Sequence, residues 1–510
     1  MSKRGRRSSS GDRQVVSLKV LVDKTKNRVI FAESDNDFID ILFSFLTLPM
    51  GTVVGLLGTE SNAIGSIARI HRSVSALETR HSRTAFCKAM LLNPRNASEA
   101  QCAKLSLNLN PMEPVKFYNC GLGYCKDKNW LTTFNDMRCK SGHLMDNEAN
   151  TDEYKSTVDD DGEGDGVFIK GGPARFVITD DLQVMSGSTA SCISLLRRLG
   201  INDGSEVEER TVEIGPKEVL CLLKYALVSK SPLTEAILLN QGSSVNDEVK
   251  FEQKKIAQLD KRAMATDSNS MSLKLLVSKS KKRVLHAEAG VDLVDFLFSF
   301  LTFPLGSIVK LLNRNSCLGC MDNLYKSAED LSTGNYIKSE ECTKMLVCPK
   351  LAPYFSLENQ PLQIEEASYP QYLCDREEDS YPQYLYDCDV PERFIVSAKS
   401  SPAESSDERC LAAIMDPKSP TGETQPGKGF LRGPATFMIT DNLTVTPLSP
   451  ISSIALLNQL NLSINDVEER VLTVRKDEAL NLLKASLISK TALSDVFYQR
   501  KPYPEVMLKV

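Results

Sequence analysis

Polar and apolar positions alternate near the start of the chain, and the same alternation returns about halfway along it. Leu18, Val20 and Val22 alternate with polar neighbours, Lys24-Thr-Lys-Asn27 supplies a break, and Val29 and Phe31 resume the pattern. A period of two on either side of a polar turn predicts an antiparallel hairpin. The pattern then changes to an apolar run from Phe38 to Leu57, where Asp35 to Asp37 are placed to cap a helix and Pro49-Met-Gly51 divides it from a second, Thr52 to Leu57. Ile64, Ile67, Ile70 and Val74 fall on one face of a further helix. Later, Phe176-Val-Ile-Thr179 reads as a strand, Asp180-Asp181 as a turn and Cys192 to Leu196 as a helix. A strand around Arg210 to Ile214 follows, then a helix with Val219, Leu220, Leu222, Leu223 and Leu227 inside, and a closing helix after Lys230-Ser-Pro-Leu233. Hairpin strands with segregated helices, lacking βαβ alternation, predict an α+β fold.

This pattern is written twice. Ser17-Leu-Lys-Val-Leu-Val22 returns as Ser272-Leu-Lys-Leu-Leu-Val277, and Phe43-Ser-Phe-Leu-Thr47 as Phe298-Ser-Phe-Leu-Thr302. Gly172-Pro-Ala-Arg-Phe176 answers Gly433-Pro-Ala-Thr-Phe437, and Glu208-Glu-Arg210 answers Glu468-Glu-Arg470. A repeat this long predicts a tandem domain duplication, each copy building its own core. The boundaries read as a basic tail at 1–15, copy 1 at 16–240, a polar linker at 241–270 and copy 2 at 271–500. Each copy has a variable, apolar-poor middle, about 83–166 in the first and 335–429 in the second, expected to be largely mobile loops.

Composition narrows the function classes. The chain has 510 residues, 42 % apolar and 25 % charged, with a formal net charge of −5, which suits globular domains and argues against a general nucleic-acid surface. The Lys3-Arg-Gly-Arg-Arg7 cluster has no apolar segment behind it, so it does not read as a secretory signal. Fourteen cysteines without such a signal point to a reducing compartment, the cytoplasm or nucleus. The runs Phe38 to Leu57 and Leu293 to Leu312 approach membrane-span length, but each contains an aspartate (Asp40, Asp295) and a central proline (Pro49, Pro304), which predicts buried helix pairs.

The Ser-Leu-Lys strand, the Phe-Ser-Phe-Leu-Thr helix, the Gly-Pro-Ala block and the Glu-Glu-Arg strand together resemble the plant proteins that carry the domain of unknown function numbered six hundred and seventy-four. The resemblance spans both copies, Val16 to Leu239 and Met271 to Phe497, and implies a plant source but no activity. It also implies a cysteine-bearing insert similar to a zinc ribbon, which here maps to Cys120, Cys125 and Cys139 within a loop at about 118–145. Ser141 stands where a fourth cysteine is expected. Zinc takes four donors, usually as two pairs that each close a tight turn. Two glycines between Cys120 and Cys125 would let both thiols face one centre, with Cys139 and His143 as the second pair of a structural zinc site; three thiols lying in an ordinary loop is the open alternative.

Other candidates have plainer readings. Cys317-Leu-Gly-Cys320 has redox spacing but no thioredoxin-like context, so buried cysteines are the simpler expectation. Asp159-Asp-Asp-Gly-Glu-Gly-Asp165 lacks the pattern of a calcium loop, and no phosphate loop, dinucleotide fingerprint or His-Glu-x-x-His occurs. Four histidines, none placed as a repeated dyad, favour a non-catalytic interaction or scaffold protein with an unidentified protein partner, the tyrosine-rich insert at Tyr369 to Tyr386 being one contact candidate. Two alternatives stand beside it. An enzyme would gather Asp180, Glu208 and Arg210, with Asp441, Glu468 and Arg470, into deep pockets; a peripheral membrane protein would expose Phe43-Ser-Phe-Leu46.

Overall fold

The computed structural model describes residues 15–58, 64–113, 115–122, 125, 130–151, 166–172, 174–239, 270–358, 360–368, 372–376, 394–398, 410–411, 413–419 and 429–498. Residues 1–14 of the basic tail, 241–269 of the linker, the acidic 159–165 stretch and most of the tyrosine-rich insert lie outside the described residues.

The predicted hairpin forms from Val16–Asp23 and Arg28–Ser34. Its turn is closed by Asp23, whose Oδ1 accepts the backbone N–H of Thr25 at 2.9 Å and of Lys26 at 3.0 Å. The hairpin sits inside a five-stranded antiparallel sheet, in the order Val184–Ser186, Phe176–Thr179, Arg28–Ser34, Val16–Asp23, Val207–Ile214. A second sheet repeats that order with Val445–Pro447, Phe437–Thr440, Arg283–Ala289, Met271–Ser278 and Val467–Val474. The register repeats as well: Val16 opposes Ile214 in one sheet and Met271 opposes Val474 in the other. The architecture is α+β, as the pattern of the chain predicts.

The apolar runs are core helices. Asn36–Ser44 and Met50–Leu57 are separated at Pro49, and Val291–Ser299 and Leu305–Leu311 at Pro304. Phe43, Phe45, Leu46, Phe298, Phe300 and Leu301 are fully buried, so the exposure that membrane docking through these helices requires is not present. No helix among the described residues is long and apolar enough to cross a membrane. The two runs meet end to end. Met50 N–H donates to the Phe303 carbonyl at 2.9 Å, and Leu305 N–H donates to the Leu48 carbonyl at 3.0 Å.

The expectation that each copy builds its own core does not hold. The helix Ile67–Ala76 lies against the second sheet, where Ser73 Oγ accepts the Val445 N–H at 2.8 Å. In return, Met321–Thr333 from the second half lies against the first sheet, where Ser327 Oγ accepts the Val184 N–H at 2.9 Å. The entries to these exchanged helices also match. Ser66 N–H donates to the Ser486 carbonyl and Cys320 N–H to the Ala226 carbonyl, both at 2.8 Å. Such contact needs glycine: Gly65 has φ +30°, and a Cβ there would lie 2.5 Å from the Leu487 backbone. The main hydrophobic core accordingly runs continuously through both halves. Periodicity fixes which face of a helix is apolar but not whose sheet it covers, which is why the exchange is invisible in the sequence.

The middle segments carry more structure than their composition suggests. The first contributes the helix Phe86–Leu92; the second contributes Glu340–Val347 and the short strands Tyr372–Arg376 and Phe394–Ala398. Phe394–Ala398 runs parallel to Asn147–Thr151 of the first half.

Candidate metal centre

Between Phe117 and Thr151 the first half folds a small β element whose turns present cysteines. Tyr118 and Thr132 exchange backbone hydrogen bonds at 2.8 and 2.9 Å, and Met145 N–H donates to the Met137 carbonyl at 2.8 Å, forming the stem of a second hairpin. Its tip is the Cys139-Lys-Ser-Gly-His143 turn. There Gly142 N–H donates to the Cys139 carbonyl at 2.8 Å, and Cys139 N–H donates to the His143 carbonyl at 2.9 Å. Gly142, at φ +87°, takes the left-handed conformation that a side chain would resist. On the facing side Cys125 N–H donates to the Leu122 carbonyl at 2.9 Å, which turns Cys120 and Cys125 toward the same point.

One donor atom from each of Cys120, Cys125, Cys139 and His143 lies within 4.8 Å of every other. Cys125 Sγ is 3.7 Å from Cys139 Sγ, and Cys139 Sγ is 3.8 Å from His143 Nδ1. A tetrahedron with metal–sulfur bonds of about 2.3 Å has edges of about 3.8 Å. The three thiols are buried and His143 is half-buried. Met137, Met145 and Met415 pack around them, with Trp130 and Phe134 outside that shell. Lys140 rests its ammonium 3.9 Å from the centre of the Trp130 ring, and Phe134 stacks on Phe86 at 4.3 Å.

The donor set fits a divalent cation. Burial pushes the Cys120 thiol up to about 11 and raises Cys139, with the neighbouring Cys125 thiol adding to the shift. A bound divalent cation would supply compensating charge and allow Cys120, Cys125 and Cys139 to lose their protons. The cluster is therefore compatible with a structural zinc. The second half helps to enclose it: Ala413–Ile414 pairs in parallel with Trp130–Leu131, and Met415 N–H donates to the Leu131 carbonyl at 2.8 Å. Nothing in the cysteine spacing foretells that partner strand.

The remaining candidates resolve into structural roles. Cys320 is buried, its thiol donates to the Ser229 carbonyl at 3.2 Å, and burial pushes it up to about 12, the opposite of an activated redox thiol. Asp180 holds the closing helix, accepting the Thr234 N–H at 2.9 Å, the Thr234 hydroxyl at 2.8 Å and Arg28 Nε at 2.7 Å. Asp441 repeats this with Ser494 N–H and hydroxyl, both at 2.8 Å. Glu208 and Arg210 pair with each other on the outer strand of the sheet, away from the cavity that Asp180 borders, so the trio required by the enzyme alternative is not assembled.

Two aspartates carry more than the sequence reveals. Asp40 is buried and accepts three successive backbone N–H groups, from Val167 at 2.5 Å, Phe168 at 3.0 Å and Ile169 at 3.1 Å. Asp295 accepts Phe430 N–H at 2.9 Å and Leu431 N–H at 3.0 Å. Each pins the strap ahead of its Gly-Pro-Ala block. Burial pushes both carboxyls up to about 7 against the opposing pull of those bonds. A lone acid inside an apolar run was the available signal.

No curated protein and no solved structure gives a significant match to the chain. One family profile does, described as protein of unknown function (DUF674), and it covers residues 12–477. The chain therefore belongs to the DUF674 family.

Proposed function

We propose that the protein is a non-catalytic scaffold of two tandem copies of one domain, 16–240 and 271–500, joined by the linker 241–270 and stabilised by a structural zinc on Cys120, Cys125, Cys139 and His143. The observation that carries this reading is the closed donor set: three thiols and an imidazole whose donor atoms all lie within 4.8 Å of one another inside a methionine shell. Four protein ligands leave no position for a substrate, which is how a structural site differs from a catalytic one. The identical strand order and register of the two sheets support the duplication. A protein partner is supported by the helix Pro450–Gln459, where Ile451 and Ile454, one turn apart, are 81 % and 57 % exposed.

Elemental analysis of the purified full-length protein tests the zinc. About one zinc per chain is expected, lost together with several degrees of thermal stability in Cys120→Ser and Cys139→Ser variants. Wild-type protein free of metal after purification without chelators, or variants that keep it, would sink the reading.

A further inference from the structure

A cavity of about 370 Å³ opens at the end of the first sheet, within the size range of small-molecule sites. It exists because of the helix exchange. The first half supplies the hairpin end, the last turn of Thr189–Arg198 and Lys230, while Gly319, Cys320 and Asn323 close one side from the second half. Val29, Ile30, Leu195 and Ile201 form an apolar floor.

The polar groups around that floor are unevenly satisfied. Every carboxylate is already engaged by protein donors. Asp23 accepts the N–H groups of Thr25 and Lys26, Asp180 accepts Thr234 and Arg28, and Asp181 accepts Gln183 Nε2 at 2.9 Å and Asn323 Nδ2 at 3.2 Å. Of the four cations, Lys26 pairs with Asp23 at 3.6 Å and Arg28 bonds Asp180 through Nε, whereas Arg198 and Lys230 have no acceptor among the described residues. The cavity thus holds donors in excess of acceptors. Its formal charge also favours one class of ligand: Lys26, Arg28, Arg198 and Lys230 against Asp23, Asp180 and Asp181 leave four minus three, one positive charge.

We propose that this cavity binds a small amphipathic carboxylic acid, its carboxylate held by Arg198 and Lys230 and its apolar body lying on Val29, Ile30 and Leu195. One net charge matches a monoanion, whereas a phosphate dianion would leave the site over-neutralised. A guanidinium fork suits carboxylate geometry, and the apolar floor distinguishes an organic acid from a simple inorganic anion. In the second half Gln459 stands at the position of Arg198, so the assignment belongs to the first half alone.

Calorimetric titration of the full-length protein with sodium benzoate and sodium hexanoate, against benzamide, hexanamide and inorganic phosphate, tests this. Saturable binding of at least one acid at one site per chain is expected, with its amide at least about tenfold weaker. Arg198→Gln, which copies the second half at an exposed helix end, should weaken the acid by about tenfold while the melting temperature holds. Lys230→Gln should weaken it in the same direction. Equal binding of acid and amide, tighter binding of phosphate than of either acid, unchanged affinity in both variants, or no saturation by about 10 mM would each overturn the assignment.

Discussion

Replacing Gly429 by alanine isolates what the buried aspartates do. A Cβ at that position would overlap the Asp295 carboxylate, which is 6 % exposed and held within a packed core helix. A close-packed interior leaves the carboxylate nowhere to retreat, so either it or the strap must move. Both movements break the bonds from Phe430 and Leu431 N–H at 2.9 and 3.0 Å. Hydrogen bonds to a charged group contribute about 1.5–3 kcal/mol each, so Gly429→Ala should cost about 3–6 kcal/mol. Asp295→Ala leaves the same two N–H groups unpaired, at about 2–6 kcal/mol, but opens the space that the new methyl requires. The double variant should therefore be little worse than Asp295→Ala alone, giving a coupling of several kcal/mol. Urea and thermal unfolding of the four proteins at about pH 8, where the carboxyl is ionised, reads the cycle. Gly429→Ala within about 1 kcal/mol of wild type, or a double variant equal to the sum of the singles, would refute the reasoning.

Three further outcomes follow from the same structure. Asp40 and Asp295 are pushed up to about 7 by burial, while an unfolded aspartate releases its proton near about 3.9. The folded state thus holds the extra protons between these values, and the contribution of these two groups to stability should be fully present below about pH 4 and lost as pH rises to about 7. Denaturation midpoints of an Asp40→Asn, Asp295→Asn variant should lose that part of the slope, and an unchanged slope would count against it. Cutting the full-length protein at a protease site introduced between 240 and 269 should leave both halves in one particle, because each covers the other's sheet; two separate peaks on gel filtration would contradict the exchange. His143→Cys should retain the metal and the melting temperature, since thiolate replaces imidazole in many four-ligand zinc sites, whereas His143→Ala should lose both; equal metal content in the two variants would remove His143 from the ligand set.

Local structure was legible wherever one face of an element had to be apolar. The Leu18, Val20, Val22 alternation and the Ile67, Ile70, Val74 stripe each gave the right element because burial imposes their period. The proline at 49 was enough to break the apolar run. The resemblance placed Cys120, Cys125 and Cys139 in one insert, and the fold does bring their thiols together with His143, since the turns that carry them are local in sequence. What failed to show was everything set by long-range pairing. Ser73 and Ser327 look like ordinary helix polar residues, yet each satisfies a strand in the other half. Asp40 read as an objection to a membrane span, but its three bonds join residues more than a hundred positions apart. The Asp35 to Asp37 segment starts its helix as expected, although Asp35 makes no side-chain capping bond.

The crossed helices also bear on how the chain is made. The hydrogen bond from Val184 to Ser327 spans 143 residues, and that from Val445 to Ser73 spans 372. At a synthesis rate of about 5–20 residues per second, Val184 waits roughly 7–29 s for the Ser327 hydroxyl that accepts its N–H. The first half's own helix waits longer still, with Ile67, Ile70 and Val74 presented to water until the second sheet leaves the ribosome. A nascent chain in that state offers an apolar sheet face and an apolar helix with no mate, the surfaces through which neighbouring polysomal chains would aggregate. Production of this protein should therefore depend on co-translational chaperone cover far more than its finished, fully enclosed core would suggest.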